Sequence, residues 1–153
     1  MNAPFPPIRR GPLRESRTLK PEDAQRAIEL VKEALPFFRA GEPIVHPDHV
    51  DVPVLYLDFA IDRVHYDPRT GNPSPKGAPP HTEPSPEGAR ESVENALKEA
   101  RVLDGAEFRE PEDCWVVPVA WRGFIIFHVR VSRDGKELIP DYHLTKEVRR
   151  HGL

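Results

Sequence analysis

A shift of 65 positions lays one region of the amino-acid sequence onto an earlier one. At this shift Val52–Val54 falls on Val117–Val119, both of which read Val-Pro-Val, and Phe59 falls on Phe124. The match runs without a gap from Pro21 to about His65 and aligns a predicted helix with a helix and a hairpin with a hairpin. We interpret the pattern as an internal duplication, in which each copy is one helix followed by a β-hairpin and a glycine-containing turn.

The second copy carries the clearest strand pattern of the chain, in residues 114–140. Across Trp115–Val131 nearly every residue is β-branched, aromatic or apolar, which is typical of strands packed on at least one face. A turn at Arg122-Gly123 predicts a hairpin, and because both of its faces are apolar near the middle, each is expected to be covered. Pro118 has no N–H for a ladder hydrogen bond, which favours an edge strand or a bulge there.

An amphipathic helix is predicted at the start of each copy. Pro21 begins the first helix and is followed by acidic residues that face the positive end of the helix dipole. Ser85 is a good N-cap for the second helix. In the first copy, Pro73 and Pro75 are expected to disrupt the third strand.

Composition divides the chain into five segments. Residues 1–18 form a flexible arm rich in Pro and Arg, expected to be mobile or to lie extended along the body. Repeat 1 spans 19–72 and repeat 2 spans 85–145, each a helix plus a hairpin. A Pro-rich linker, 73–84, joins the two repeats, and 146–153 form a basic tail.

The turns that close the two hairpins carry a family resemblance. Asp67–Gly71 reads D-x-x-T-G and Arg133–Gly135 reads R-D-G, and each turn follows a hairpin with a V-P-V step. This arrangement resembles two tandem PepSY-like domains. The resemblance implies small binding or regulatory modules, associated with peptidase inhibition and with cell envelopes. We expect no signal peptide at the N-terminus, and the first copy carries prolines in its last strand; both features depart from the family and argue against an envelope role.

The expected fold class is α+β. We expect two tandem α-β-β(-β) repeats related by pseudo-twofold symmetry, with helices packed on antiparallel sheet. A cystatin-like or other α+β sheet with a different connection is the competing fold.

Composition restricts the compartment and the kinds of partner. The 153 residues carry a net charge of −3 with 31% charged residues, which argues against a dedicated nucleic-acid binder. Cys114 is the one cysteine, so no disulfide can form within the chain, and a reducing, cytoplasmic location is expected. No apolar segment approaches the length of a membrane span. The 19 prolines and the scarcity of Asn, Gln and Met indicate a heat-adapted protein or a GC-rich genome.

One loop combines side chains that bind metals. It contains two imidazoles and two carboxylates, from His46, Asp48, His49 and Asp51. A zinc or other transition-metal site needs three or four converging ligands, and His65 or His81 could add one to this set. The alternative is a polar turn whose geometry is set by Pro47-Asp48. No other cofactor is indicated, so a metal ion at this loop is the one cofactor that we consider.

Five further residues are candidates for binding. Arg63 and His128 occupy equivalent positions of the two copies and could flank a groove that takes an anion; a half-buried histidine that only satisfies its hydrogen bonds is the alternative. Regular alternation would place His128 on the face of Trp115 and Trp121. These two tryptophans and Tyr56 could line an aromatic pocket, or they could belong to the core.

The sequence favours a non-enzymatic binding or regulatory module. We expect a protein or peptide partner, or a homodimer formed through sheet surface or edges. There is no Gly-rich phosphate loop, G-x-S-x-G elbow or C-x-x-C pair. The alternative is a metal-dependent hydrolase that uses His46 and His49. A third hypothesis, nucleic-acid binding by the arm and the basic tail, is the least favoured by the net charge.

Overall fold

The computed structural model describes residues 5–10 and 19–151 and has an α+β fold, with three helices and two antiparallel sheets. The helices are α1 (Pro21–Ala34), α2 (Ala89–Glu99) and α3 (Tyr142–Arg150). The first sheet contains β1 (Arg39–Ala40), β2 (Ile44–Val45), β3 (Val50–Tyr56), β4 (Phe59–Asp67) and β5 (Asn72–Pro73). The second contains β6 (Arg101–Val102), β7 (Glu107–Arg109), β8 (Cys114–Trp121), β9 (Phe124–Ser132) and β10 (Leu138–Ile139). Within the described ranges, no helix is long and apolar enough to cross a membrane.

The two sheets are separate and have the same topology. The first has the order β1-β3-β4-β5 with β2 also paired to β3, and the second has the order β6-β8-β9-β10 with β7 also paired to β8. The register shifts between Val54 and Leu55 in one hairpin and between Val119 and Ala120 in the other, 65 positions later. A hairpin can form without a bulge. A bulge at the same position of both hairpins therefore supports the duplication.

The proline of each V-P-V step lies where the neighbouring strand is interrupted. The carbonyl of Pro53 accepts the N–H of Gly41, between the segments of β3 that pair with β1 and β2. The carbonyl of Pro118 likewise accepts the N–H of Leu103, between β6 and β7. Pro118 therefore lies in an internal strand and not at an edge. The missing N–H is tolerated because no regular ladder passes on that side.

Each helix packs mainly on the sheet of the other copy. Helix α1 contacts β6, β8 and β9, whereas α2 contacts β1, β3, β4 and β5 and, in its own copy, β8. Hydrogen bonds also join each helix to the other copy. Arg26 of α1 donates to the carbonyl of Asp134 at 2.8 Å, and the Ser92 hydroxyl of α2 donates to the carbonyl of Gly71 at 2.8 Å. One apolar core therefore contains residues from both copies, and the division into 19–72 and 85–145 follows the chain but not the packing.

Three expectations for the connecting segments can be compared with the structure. Within the predicted arm, Ile8 forms a parallel bridge with Leu138, so residues 7–9 lie along β10; residues 1–4 and 11–18 are outside the described residues. Strand β5 forms although it contains Pro73, because only two residues pair with β4. Most of the predicted basic tail belongs to α3, and residues 152–153 are outside the described residues.

Candidate metal centre

The outer face of the first sheet carries a buried carboxylate. Along β3, Val50, Val52 and Val54 point into the shared core, so the alternation places Asp51 on the opposite face. Asp51 is only 1% exposed, and its register partner on β4 is His65. A buried carboxylate is costly unless polar partners surround it, so the neighbours of Asp51 decide what this site can do.

The loop between β2 and β3 brings two imidazoles to this carboxylate. The N–H of His46 donates to the carbonyl of His49 at 2.9 Å, which closes the turn and stacks the two rings with centroids 4.3 Å apart. The Nε2 atoms lie 3.2 Å (His46) and 3.5 Å (His49) from Oδ2 of Asp51. All three ligand atoms lie within 4.8 Å of one another. Ligands of a tetrahedral zinc ion are roughly 3.3 Å apart, so this triangle is close to the size that such an ion needs.

One nitrogen of the triangle lacks a hydrogen bond. Nε2 of His46 is buried and makes no hydrogen bond to any described residue, although it lies 3.2 Å from Oδ2 of Asp51. Leaving such an atom unsatisfied costs about 1–3 kcal/mol. A cation between this nitrogen and the Asp51 carboxylate would satisfy both groups at once.

An outer layer of hydrogen bonds orients His49. Its Nδ1 lies 2.8 Å from Oδ1 of Asp48, and Nδ1 of His81 lies 2.7 Å from Oδ2 of the same carboxylate. The hydrogen bonds of His49 and His81 lower the pKa of Asp48 to about 2, so this carboxylate is an acceptor at neutral pH. We therefore assign the proton of neutral His49 to Nδ1, which leaves a lone pair on Nε2. Metal-binding histidines are commonly held in this way by a carboxylate.

Two side chains of β4 complete the surroundings of Asp51. Nδ1 of His65 lies 2.7 Å from Oδ1, and an Nη atom of Arg63 lies 3.7 Å from Oδ2. Burial disfavours the charged form of Asp51, but the hydrogen bond from His65 and the charges of His65, His49 and His46 outweigh it. The pKa of Asp51 consequently lies below its ordinary value, and the carboxylate is ionised at neutral pH.

The second copy shows that the hairpin does not require this cluster. The position equivalent to Asp51 is Val116, and the position equivalent to His49 is Cys114. Both are buried and pack against Ile139 in a small apolar cluster. Because the same hairpin forms with apolar residues at these positions, the polar cluster of the first copy is not needed for the fold.

The predicted metal residues separate into two layers. His46, His49 and Asp51 converge, whereas Asp48 is held by His49 and His81 and lies outside the triangle. Arg63 belongs to the same cluster, although the sequence had suggested a groove with His128. The missing information was the hairpin register, which pairs His65 with Asp51 and so brings Arg63, on the same face of β4, near this carboxylate.

His128 lies in a different environment from the one expected. It pairs with Pro118 on the outer face of the second sheet, so the prediction that it shares a face with the tryptophans is wrong; the bulge changes the alternation. A cavity of about 200 Å³ adjoins it and is also lined by Lys76 and Arg109. Burial, and then the charges of Lys76 and Arg109, lower the pKa of His128.

The three predicted pocket aromatics are buried in the shared core, each with its polar atom bonded. The Tyr56 hydroxyl donates to the carbonyl of Pro6 at 2.7 Å. Nε1 of Trp115 donates to the carbonyl of Arg133 at 2.8 Å, and Nε1 of Trp121 donates to Glu99 at 3.0 Å. Their burial leaves little surface for a ligand, and their binding role stays a prediction.

Comparisons of the chain with protein-family models, with curated proteins and with solved structures found no match. The fold and the site define the chain as a duplicated α+β protein with a histidine–aspartate cluster. The resemblance to PepSY-like domains stays a prediction.

Proposed function

We propose that this protein is a metal-binding module that holds a transition-metal ion, such as zinc, at His46, His49 and Asp51. The observation that carries the proposal is the buried Nε2 of His46, which has no hydrogen bond among the described residues and lies 3.2 Å from the Asp51 carboxylate. A metal ion at this position would accept the lone pair of the imidazole and would bind the ionised carboxylate at the same time.

The chemistry of the donor set favours this class of ion. Imidazole nitrogen suits zinc, copper, nickel and iron, whereas calcium and magnesium prefer sets composed of oxygen ligands. Metal ligands are commonly oriented by an outer layer of hydrogen bonds. Here Asp48 forms such a hydrogen bond with His49, and His65 forms one with Asp51. Both ligand histidines keep about a quarter of their side-chain surface, 27% for His46 and 22% for His49, so an ion can enter from solvent.

The test is isothermal titration of the full-length protein, freed of any histidine tag and of metal, with Zn²⁺. We expect one ion per chain. His46→Ala and Asp51→Val each remove a ligand and should weaken binding by more than roughly 100-fold, since loss of an outer-layer partner alone typically costs ~10–100-fold. Valine is chosen at Asp51 because the second copy has Val116 at the equivalent position.

The matched control is His143→Ala, which removes an exposed histidine of α3 and should leave the affinity for Zn²⁺ unchanged. A thermal unfolding curve of each variant checks that the fold is retained. Equal affinity of wild type and His46→Ala, or no binding by folded wild type, would overturn the proposal.

A metal-dependent hydrolase is the second candidate function. The observation in its favour is that three protein ligands beside solvent leave a coordination position for water, as in catalytic zinc sites. It depends on metal binding and stays a prediction, as do the protein or peptide partner, the homodimer and the cytoplasmic location.

A further inference from the structure

Arg63 has unused hydrogen-bonding capacity beside the proposed metal ligands. Its guanidinium approaches Oδ2 of Asp51 at 3.7 Å, which is an ion-pair distance but too long for a hydrogen bond. It donates no hydrogen bond to any atom of the described residues, and 27% of its side chain is exposed. A guanidinium carries five N–H donors in a fixed planar fork that matches carboxylate and phosphate groups. These donors therefore remain for a ligand that arrives from solvent.

The charges around the metal ligands favour an anionic ligand. Two neutral imidazoles and the Asp51 carboxylate would leave a divalent ion with net positive charge, to which Arg63 adds another. Asp48 also belongs to the cluster, but its oxygens are held by His49 and His81. The two ligand histidines and Arg63 are each partly exposed, so a solvent-borne anion can approach the positive charge.

The comparison of the two copies indicates that Arg63 is not a requirement of the strand. The equivalent position of β9 is His128, which makes different contacts, in the cavity that contains Lys76. The ion pair with Asp51 does not need an arginine either, because His65 already donates to this carboxylate at 2.7 Å. The charge of Arg63 is consequently not needed to neutralise Asp51.

We propose that the metal-loaded site binds an oxyanion, with one oxygen of the anion at the open metal position and a second oxygen on the N–H groups of Arg63. Phosphate and carboxylate groups share this chemistry. This inference rests on the proposed metal-binding function. The experimental result that would overturn the inference differs from the result that would overturn metal binding.

The experiment uses the full-length protein loaded with Co²⁺, whose visible absorption spectrum changes when a coordinated water is replaced. Inorganic phosphate and acetate are titrated separately, and we expect a saturable spectral change with at least one of them. A change with phosphate alone identifies phosphoryl ligands, and a change with acetate alone identifies carboxylates. A change with both supports the shared chemistry.

Arg63→Gln separates anion binding from metal binding. This variant should bind Co²⁺ at least as tightly as wild type, because it removes a positive charge near the ion. Its affinity for the anion should fall roughly 10- to 100-fold, the range expected for loss of charge-assisted hydrogen bonds. Arg63→Lys keeps the charge but not the fork and should bind the anion with intermediate affinity.

The matched control is Arg101→Gln, which removes an exposed arginine from β6 of the second sheet and should leave both affinities unchanged. If Co²⁺ binds but neither anion alters the spectrum, or if Arg63→Gln binds the anion as tightly as wild type, the oxyanion inference is overturned and metal binding stands. If Co²⁺ does not bind at all, both proposals fail.

Discussion

At the scale of single residues, two glycines at corresponding turns of the copies are under different constraints. Gly71 and Gly135 both have left-handed backbone, with φ of 73° and 74°. A Cβ atom on Gly135 would lie 2.6 Å from the carbonyl oxygen of Asp23 in α1, whereas on Gly71 its nearest neighbour would be the Tyr66 hydroxyl at 3.9 Å. The backbone conformation favours glycine in both turns, but only the second turn needs glycine for close approach to a helix.

This pair gives a matched test of the contact between α1 and the second copy. Gly71→Ala should lower the free energy of unfolding by about 1–2 kcal/mol, the cost of a side chain in left-handed backbone. Gly135→Ala should lower it by that amount plus a further ~1–3 kcal/mol, because helix backbone must move. Urea unfolding of both variants measures the difference. Equal losses would show that the close approach to Asp23 contributes nothing.

Sequence reasoning is strongest at this scale where the residues are neighbours in the chain. His46, His49 and Asp51 are grouped by the loop itself, so their proximity could be predicted. The arginine could not be assigned to them, because Arg63 reaches Asp51 only through the register of β3 with β4. Which member of the loop lies outside the triangle could not be predicted either, since Asp48 is held by His81, far along the linker.

At the scale of elements, backbone groups next to the bulge of each hairpin form hydrogen bonds with segments outside the sheet. In the first copy, Ala60 is buried; its N–H donates to the Thr145 hydroxyl at 2.9 Å and its carbonyl accepts the N–H of Asp141 at 2.9 Å. At the equivalent position of the second copy, the carbonyl of Ile125 accepts the N–H of Lys76 at 2.8 Å. In the first copy, Ala60 therefore binds both the N-cap and the first turn of α3 and contributes to its docking.

Replacing Thr145 tests this docking. Thr145→Val keeps the shape of the side chain but removes the acceptor for the Ala60 N–H, so the free energy of unfolding should fall by about 1–3 kcal/mol. Thr145→Ser keeps the hydroxyl and should lose less, chiefly the contribution of one buried methyl group. Chemical denaturation of the two variants compares them. A valine variant as stable as wild type would contradict the role of the hydroxyl.

Regular alternation made the hairpins predictable, and for the bulges the sequence offered only Pro118, which favoured either an edge strand or a bulge. The β-branched and aromatic residues of β8 and β9 indicate strands correctly. The register shift between Val119 and Ala120 could not be read from them, and it moves His128 to the outer face. An error of one residue in register reverses every side chain beyond it, which explains why the predicted face of His128 was wrong.

At the scale of the whole molecule, the exchange of helices joins the two copies into one folding unit. The α+β class could be predicted from helical and strand periodicities, and the duplication could be predicted from the match at a shift of 65 positions. The exchange could not, because an amphipathic helix can cover either of two similar apolar sheets. What distinguishes the sheets is a set of long-range contacts, such as Arg26 with Asp134 and Glu94 with the N–H of Ala40.

The exchange predicts that neither copy folds alone. A fragment of residues 1–83 has the first sheet without α2, and a fragment of 84–153 has the second sheet without α1, so each exposes a broad apolar face. We expect each fragment to lack near-ultraviolet circular dichroism and cooperative unfolding, and an equimolar mixture to recover both. The cut falls after His81, so the reassembled protein should also recover Zn²⁺ binding. Cooperative unfolding of either isolated fragment as a monomer would mean that a helix can return to the sheet of its own copy, and the two copies would then be independent domains.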